Sequence, residues 1–294
     1  MTRFRENLYK WIFTILAFAS LVFLVGIILT LLKEAFPIFA EIKLFKFLLG
    51  SQWYPTYEPP DFGILPLILA SVLVTFGAMV VAVPIGVGSA LYIHELAGET
   101  QRAFLKPIIE ILAGIPSIVF GFFGMVIVAP FLQKLLGIPT GLNAFTASLV
   151  LGIMATPTVC SISEDALSFV PRSFREASLA LGANRWQTLM RVVAPAAGSG
   201  ISTAIILGIG RAVGETMTVL MVAGGAAVIP KSIFDPVRPM TSTIAAEMGE
   251  AVMGSHHYSA LFAIALILFL ITLVINIIAE IISRRYRLKL GLGR

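Results

Sequence analysis

Six long apolar stretches constrain this chain more than any other feature of its sequence. Each is nearly free of charge and reaches the roughly 20 residues that a helix needs to cross a bilayer. Charged residues make up only 13% of the 294 residues, against about 25% in an ordinary soluble domain. We therefore predict an all-α membrane protein, a single transmembrane domain over residues 1–294, with helices at about 11–32, 63–93, 107–132, 141–163, 198–229 and 258–282.

The first apolar stretch follows Arg3, Arg5 and Lys10, an arrangement that also occurs in secretory signals. The stretch 11–32 is longer than the roughly 7–15 apolar residues of a signal, and no small-residue cleavage site follows it. We expect a retained membrane helix.

Lysine and arginine concentrate on the cytoplasmic side of membrane proteins, so their positions predict the orientation of the helices. With the N-terminus inside, fourteen of the 21 basic residues fall in inner segments and six in outer segments, and Arg211 lies within a helix. Both termini are therefore expected in the cytoplasm. The sequence pI of about 9.5 follows from this distribution and does not indicate nucleic-acid binding.

The inner segment 164–197 has the local signals of two short helices joined by a turn. Ser173 and Glu176 have the spacing of a capping box, which predicts the start of the first helix. Gly182 can adopt the left-handed conformation that ends a helix, and Asn184 can cap a second helix that runs to Pro195. Apolar side chains on such an exposed loop indicate a protein partner.

The same segment resembles the EAA loop of importer-type ABC permeases, through Glu176-Ala177-Ser178, Gly182 and Val192-x-Ala194-Pro195. It departs from the family pattern by small changes at Ser178, Val192 and Ala194. The resemblance implies the type I, MetI-like permease fold, with a cytoplasmic coupling helix that docks on an ATPase. It also implies that the coupling residues are Glu176, Ala177, Ser178, Gly182 and Pro195.

The stretches GRAVGETMTV and IPSIVFGFFG, together with most of residues 60–285, resemble the PstC-type permeases of phosphate importers. The resemblance implies a transport subunit of the bacterial inner membrane that moves inorganic phosphate inward and is not itself an enzyme. The implied partners are a PstA-type permease subunit, two copies of a PstB-type ATPase that binds ATP, an external PstS-type phosphate-binding protein and membrane lipid. The alternatives are a permease for another oxyanion, such as sulfate or molybdate, and a stand-alone secondary carrier or channel.

Arg211 and Glu215 interrupt the fifth apolar stretch at a depth where charge is costly. Their spacing of four residues would place both side chains on one helical face, where they can neutralise each other. One interpretation is an ion pair that holds helices together. The other is a substrate pathway formed by Arg211, Glu215, Thr216 and Thr218, in which the planar guanidinium binds an oxyanion.

Metal chemistry and cofactors are not expected in this chain. Cys160 is its only cysteine, which excludes a disulfide framework and a thiolate cluster. His256 and His257 are adjacent in an outer segment and are expected to be ordinary interfacial residues.

Overall fold

The structure, a computed structural model, describes residues 2–289 and is mostly helical. Strands β1 (Trp53–Tyr54) and β2 (Asp61–Phe62) form a short antiparallel pair. Wider π-helical turns at Tyr92–Leu96, Gly124–Val128 and Leu189–Val193 extend α3, join α5 to α6 and join α9 to α10. In chain order the helices are α1 (Thr2–Glu41), α2 (Leu44–Leu49), α3 (Leu65–Leu91), α4 (Glu99–Gly114), α5 (Ser117–Phe123), α6 (Ala129–Leu136), α7 (Ala144–Ser168), α8 (Arg172–Ala180), α9 (Arg185–Thr188), α10 (Ala194–Ala196), α11 (Gly198–Val213), α12 (Met217–Val222), α13 (Met240–Glu247) and α14 (His256–Lys289).

Within the described residues, five helices are long and apolar enough to cross a membrane. A sixth candidate is bent, because Arg185–Ala196 and Gly198–Val213 meet at an angle of 69°. The predicted number of six agrees with the structure when this bent pair counts as one span. The five unbroken spans are Glu6–Glu41, Leu65–Leu96, Ser117–Leu136, Ala144–Ser168 and His256–Ile278.

The predicted helix 107–132 is wrong in its first part, because it merges two helices. Helix α4 ends at Gly114, and Ile115 is extended with a ψ angle of 129°. The ring of Pro116 disfavours the helical conformation in the residue before it, so the chain turns here and a new helix begins at Ser117. The result is a separate helix α4 that lies before the third span.

The predicted helix 198–229 is also broken. Helix α11 ends at Val213, and the short α12 covers only Met217–Val222. Gly214 lies at the break, where a glycine loses about 1 kcal/mol less by leaving the helix than an alanine would. The backbone carbonyl of Glu215, freed by the break, accepts a 2.8 Å hydrogen bond from the hydroxyl of Thr241. Such a partner is required because unpaired backbone groups are costly in a membrane.

Helices α3 and α7 run parallel and form the centre of the bundle through small residues. A Cβ atom added at Gly152 would lie 2.8 Å from the carbonyl oxygen of Ala78, so the two backbones approach closely. Small residues permit this approach between membrane helices, where van der Waals packing supplies the attraction. The buried residues at this contact include Ala70, Ala78, Ala82, Ala147 and Ala155.

We call the end of the bundle that carries residues 169–197 the loop end, and the end that carries residues 223–255 the opposite end. At the loop end, Ala90 and Ile93 after α3 pack with Leu167 of α7 and Leu189 of the loop. At the opposite end, α2, the β-strand pair and α13 pack against the start of α14. These two apolar clusters position the charged side chains described next.

Candidate functional site

The guanidinium of Arg211 lies near the middle of the bundle. Its Nη1 donates a 2.8 Å hydrogen bond to the hydroxyl of Thr158 in α7. Thr158 is about 20 Å from the start of α7 and about 15 Å from its end, at 1.5 Å per residue. Arg211 is therefore at the depth of the hydrocarbon core, as the sequence predicted.

The expected neutralisation of Arg211 by Glu215 is wrong for this structure. Because α11 ends at Val213, the two residues do not share one helical face. Glu215 Oε1 instead accepts a 3.2 Å hydrogen bond from the backbone N–H of Thr218. Within the described residues, Thr158 is the single polar partner of the Arg211 side chain, and that partner is uncharged.

The two threonines predicted beside this pair have different surroundings. Thr216 lies in the break between α11 and α12, and its hydroxyl donates to the carbonyl of Gly214 at 3.3 Å. Thr218 is fully buried, and its hydroxyl donates to the carbonyl of Ser117 at 2.9 Å. Thr218 thus joins the break after α11 to the break before α5, while Arg211, Glu215 and Thr216 retain some exposed surface.

The turn of the loop has the geometry that the sequence predicted at Gly182. Its φ angle is +84°, in the left-handed region. The N–H of Gly182 donates to the carbonyl of Leu179 at 2.9 Å, and the N–H of Ala183 donates to the carbonyl of Ser178 at 3.2 Å. These two bonds form a Schellman motif that ends α8.

One of the two predicted caps in the loop is present and the other is absent. Asn184 Oδ1 accepts a 2.8 Å hydrogen bond from the N–H of Gln187, whose side chain accepts one from the N–H of Asn184 at 3.0 Å. The predicted capping box at Ser173 and Glu176 is wrong, because no side chain caps the start of α8. Helix α8 already begins at Arg172, after Pro171, so Ser173 lies inside the first turn.

The two loop helices enclose an open groove of about 580 Å³ on the surface of the loop. Ala177, Ser178 and Gly182 line it, and the Ser178 hydroxyl lies 3.0 Å from that of Thr188 across the turn. Leu181 beside it is 89% exposed, which is unusual for a large apolar residue outside a membrane. Of the other predicted coupling residues, Glu176 is exposed on α8, and Pro195 lies apart from the groove, in α10 just before the bend.

A buried carboxylate at the loop end was missed by the sequence analysis. Glu164 in α7 is 4% exposed, and it accepts hydrogen bonds from Arg102 at 2.6 Å and from Lys106 at 2.8 Å, both in α4. The hydrogen bond to Glu164 raises the pKa of Lys106, because the carboxylate stabilises the charged ammonium. This ion triad fixes α4 against α7.

A second ionic contact lies beside the triad and joins α8 to the membrane helices. Arg175 in α8 contacts Glu95 and His94, which follow α3 in the π-helical turn. The sequence offered one indication of this cluster: Glu95 and Glu164 each follow the end of an apolar stretch, and both stretches are expected to end on the same side of the membrane. Sequence alone gave no indication that they meet.

At the opposite end, Glu247 accepts hydrogen bonds from three side chains. They come from Trp53 Nε1, from Arg238 at 2.6 Å and from the His257 ring at 2.9 Å. His257 thus belongs to a partly buried polar cluster, a set of contacts that the sequence did not predict. Among the described residues, no group of three His, Cys, Asp or Glu side chains could hold a metal ion.

Comparisons with known proteins agree with this architecture. The family described as "Binding-protein-dependent transport system inner membrane component" matches residues 82–288. A structure of the MetNI methionine ABC transporter in an inward-facing conformation superposes with a TM-score of 0.56 at 22% identity, over 74% of this chain and 91% of that one. This likeness confirms the predicted MetI-like fold.

Two curated relatives are similar over most of their length. The probable ABC transporter permease protein YqgH of Bacillus subtilis is 38% identical over 82% of this chain and 78% of its own. The phosphate transport system permease protein PstC of Pasteurella multocida is 36% identical over 84% of this chain and 82% of its own. With its multi-span helical bundle, its looped helix pair and these matches, the chain belongs to the family of binding-protein-dependent transport system inner membrane components.

Proposed function

We propose that the chain is the PstC-type permease subunit of an ABC importer that moves inorganic phosphate into the cell. The alternative within this family is a permease for another oxyanion, such as sulfate or molybdate. The observation that carries the proposal is the uncompensated charge of Arg211 at the middle of the bundle. The phosphate transport name of the Pasteurella multocida relative supports the choice of substrate.

A charge at this depth needs a compensating partner. An arginine at the centre of a membrane helix costs on the order of 2.5–3.5 kcal/mol by insertion scales. Thr158 uses one of the donors of Arg211 but supplies no negative charge. A passing oxyanion supplies that charge, and its oxygens match the planar fork of guanidinium donors two at a time.

Glu215 offers a basis for preferring phosphate over sulfate. Its Oε1 is occupied by the N–H of Thr218, which leaves Oε2 able to accept a further hydrogen bond. At neutral pH phosphate carries at least one proton and can donate that bond, whereas sulfate carries none. An unprotonated anion would meet only repulsion from the carboxylate.

The loop groove supports an ATPase partner on the cytoplasmic side. Leu181, Trp186 and Met190 are all exposed in the same loop, and large apolar side chains exposed outside the membrane indicate a protein interface. With the loop end inside, the basic residues follow the positive-inside distribution and both termini are cytoplasmic. ATP binds to two copies of the PstB-type ATPase, so this chain needs no cofactor of its own. A PstA-type subunit completes the pathway, and a PstS-type protein delivers phosphate at the opposite end.

The test is phosphate uptake by the reconstituted complex, normalised to the amount of assembled complex. Arg211→Leu combined with Glu215→Leu removes both charges, and we expect assembly with a loss of uptake. Removing one partner of a buried, hydrogen-bonded charge pair costs about 2–5 kcal/mol, which is at least about 30-fold in affinity. Arg211→Lys keeps the charge but loses the fork, so uptake should also fall. Near-normal uptake by the double leucine variant would refute the pathway.

Thr158→Val provides the matched control. If Arg211 only joins α11 to α7, this change should be as harmful as the loss of Arg211. If Arg211 binds the anion, uptake should largely persist. Competition by sulfate or molybdate at equal concentration would favour the oxyanion alternative, and uptake without the ATPase would contradict ATP-driven import.

A further inference from the structure

The contacts between α8 and the membrane helices point to a mechanical role that the groove itself does not explain. We propose that Arg175, Glu95, His94 and Glu164 form a partly buried linkage through which the position of α8 sets the position of α3, α7 and α4. We call these four residues the α8 linkage. The inference rests on the proposed function, in which α8 docks on the ATPase.

The linkage begins at Arg175, the side chain through which α8 forms ion pairs with a membrane helix. Its Nη2 lies 2.5 Å from Glu95 Oε1 and 2.8 Å from His94 Nε2. The side chains of these three residues are 22%, 18% and 8% exposed, so water screens the contacts only weakly. Otherwise α8 packs mainly on residues 185–193 of its own loop. A displacement of α8 therefore acts on α3 through Arg175.

The far end of the linkage is anchored. Glu164 is held by Arg102 and Lys106 at hydrogen-bond distances, which ties α7 to α4. A buried carboxylate with two cationic partners is fixed in place, because losing either partner leaves charge uncompensated. A shift that reaches Glu164 is therefore passed to two helices at once.

The contact between His94 and Glu164, in the middle of the linkage, is not a hydrogen bond in this structure. If His94 Nε2 accepts from Arg175, its Nδ1 carries the ring proton, and Nδ1 lies 3.7 Å from Glu164 Oε1. That distance is too long for a hydrogen bond, and a movement of less than about 1 Å would form one. Among the described side chains, two buried nitrogens of the linkage, His94 Nδ1 and Arg175 Nε, have no hydrogen-bond partner, while Glu95 Oε1 has only its ion pair with Arg175.

Unsatisfied buried groups are rare, and a concentration of them in one cluster needs an explanation. A contact that serves only to hold the fold together gains most when every group is satisfied. A contact that alternates between two arrangements leaves some groups unpaired in each. The geometry of the linkage fits the second case. We infer that the hydrogen bond between His94 and Glu164 forms when the ATPase displaces α8.

The experiment uses the complete transporter in vesicles, with ATP hydrolysis and phosphate uptake measured in the presence and absence of the phosphate-binding protein. Arg175→Gln combined with Glu95→Gln removes the ion pair without leaving a lone buried charge. We expect the ATPase to remain bound while the phosphate moved per ATP falls at least about fivefold, within the usual range of coupling between sites. Unchanged phosphate per ATP would overturn the linkage.

Two further variants keep the result interpretable. His94→Gln tests the open contact without altering a charge, and it decides the question if the paired variant fails to assemble. It should also lower phosphate per ATP, and normal coupling in it would overturn the role of His94. Arg172→Leu, which removes an exposed charge from α8, should leave the ratio unchanged. Absence of ATPase binding in the unaltered complex would overturn the proposed function itself, and the linkage with it.

Discussion

Gly182 allows a prediction in which the energy comes from backbone conformation alone. Its φ angle of +84° lies in the left-handed region, and a Cβ atom added there would meet nothing within 4 Å. A substitution therefore causes no clash, and its cost is the strain of a side chain in that conformation, about 1–2 kcal/mol for an L-residue. Valine should be worse than alanine, since its branched Cβ crowds the backbone. Asparagine should be the mildest, because it adopts this conformation more readily.

The consequence for docking follows from the two bonds that close the turn. If the left-handed conformation is disfavoured by about 1–2 kcal/mol, the population with the native turn falls by about 5- to 30-fold relative to the alternatives. We expect membrane insertion to be normal and ATPase affinity to fall in the order Gly182→Asn, Gly182→Ala, Gly182→Val. The assay is co-purification and transport-stimulated ATP hydrolysis in vesicles.

Gly249 is the matched control, since it is exposed, has no positive φ and also has open space at its Cβ position. Gly249→Ala should leave both measurements unchanged. Wild-type docking and turnover in Gly182→Val would refute the reasoning and remove the turn from the coupling mechanism.

Three further predictions concern the caps, the helix packing and the orientation. Asn184→Ala should destabilise the loop by about 0.5–2 kcal/mol, as measured by protease sensitivity. Ser173→Ala should have little effect, and equal effects of the two changes would contradict the observed capping. Gly77→Val would place a Cβ atom 2.4 Å from a serine oxygen of α7. The resulting overpacking, about 1–3 kcal/mol, should lower the yield of folded protein and its thermal stability in detergent. Gly88→Val, which has open space at its Cβ position, should be much less affected in the same measurement. A cysteine placed near Pro236 should label from outside with an impermeant reagent, and one placed near Asn184 should label only from inside; the reverse pattern would overturn the orientation.

Sequence reasoning succeeded where the determining chemistry is local. The left-handed turn at Gly182 and the cap at Asn184 depend on residues within five positions of each other, so their spacing was sufficient. It failed at Ser173 because Pro171 offered an earlier helix start. It also merged two helices across Pro116, because apolar composition continues through the break while the backbone does not.

The contacts of the charged side chains were harder to predict from the sequence than the local turns and caps. The pairing of Arg211 with Glu215 assumed an unbroken helix, and the break at Gly214 removes that assumption. The partner that Arg211 has instead, Thr158, lies 53 positions away. Contacts of this kind depend on which helices are neighbours, and apolar periodicity does not encode that. The clusters around Glu164 and Glu247 were missed for the same reason.

The 69° bend between α10 and α11 divides this part of the chain into two helical arms that meet at Ala197. Its short arm is the loop helix that ends at Ala196, and its long arm is α11, with Arg211 about 20 Å from the pivot at Ala197. A tilt of the long arm by about 5° would carry Arg211 through about 2 Å. That displacement is enough to break the 2.8 Å bond to Thr158. Because the loop arm, which begins at Arg185, is nearly as long as the distance from Ala197 to Arg211, a small rotation of the loop would move the guanidinium by a similar distance. Whether the Arg211–Thr158 bond is made or broken would then depend on the angle of α11.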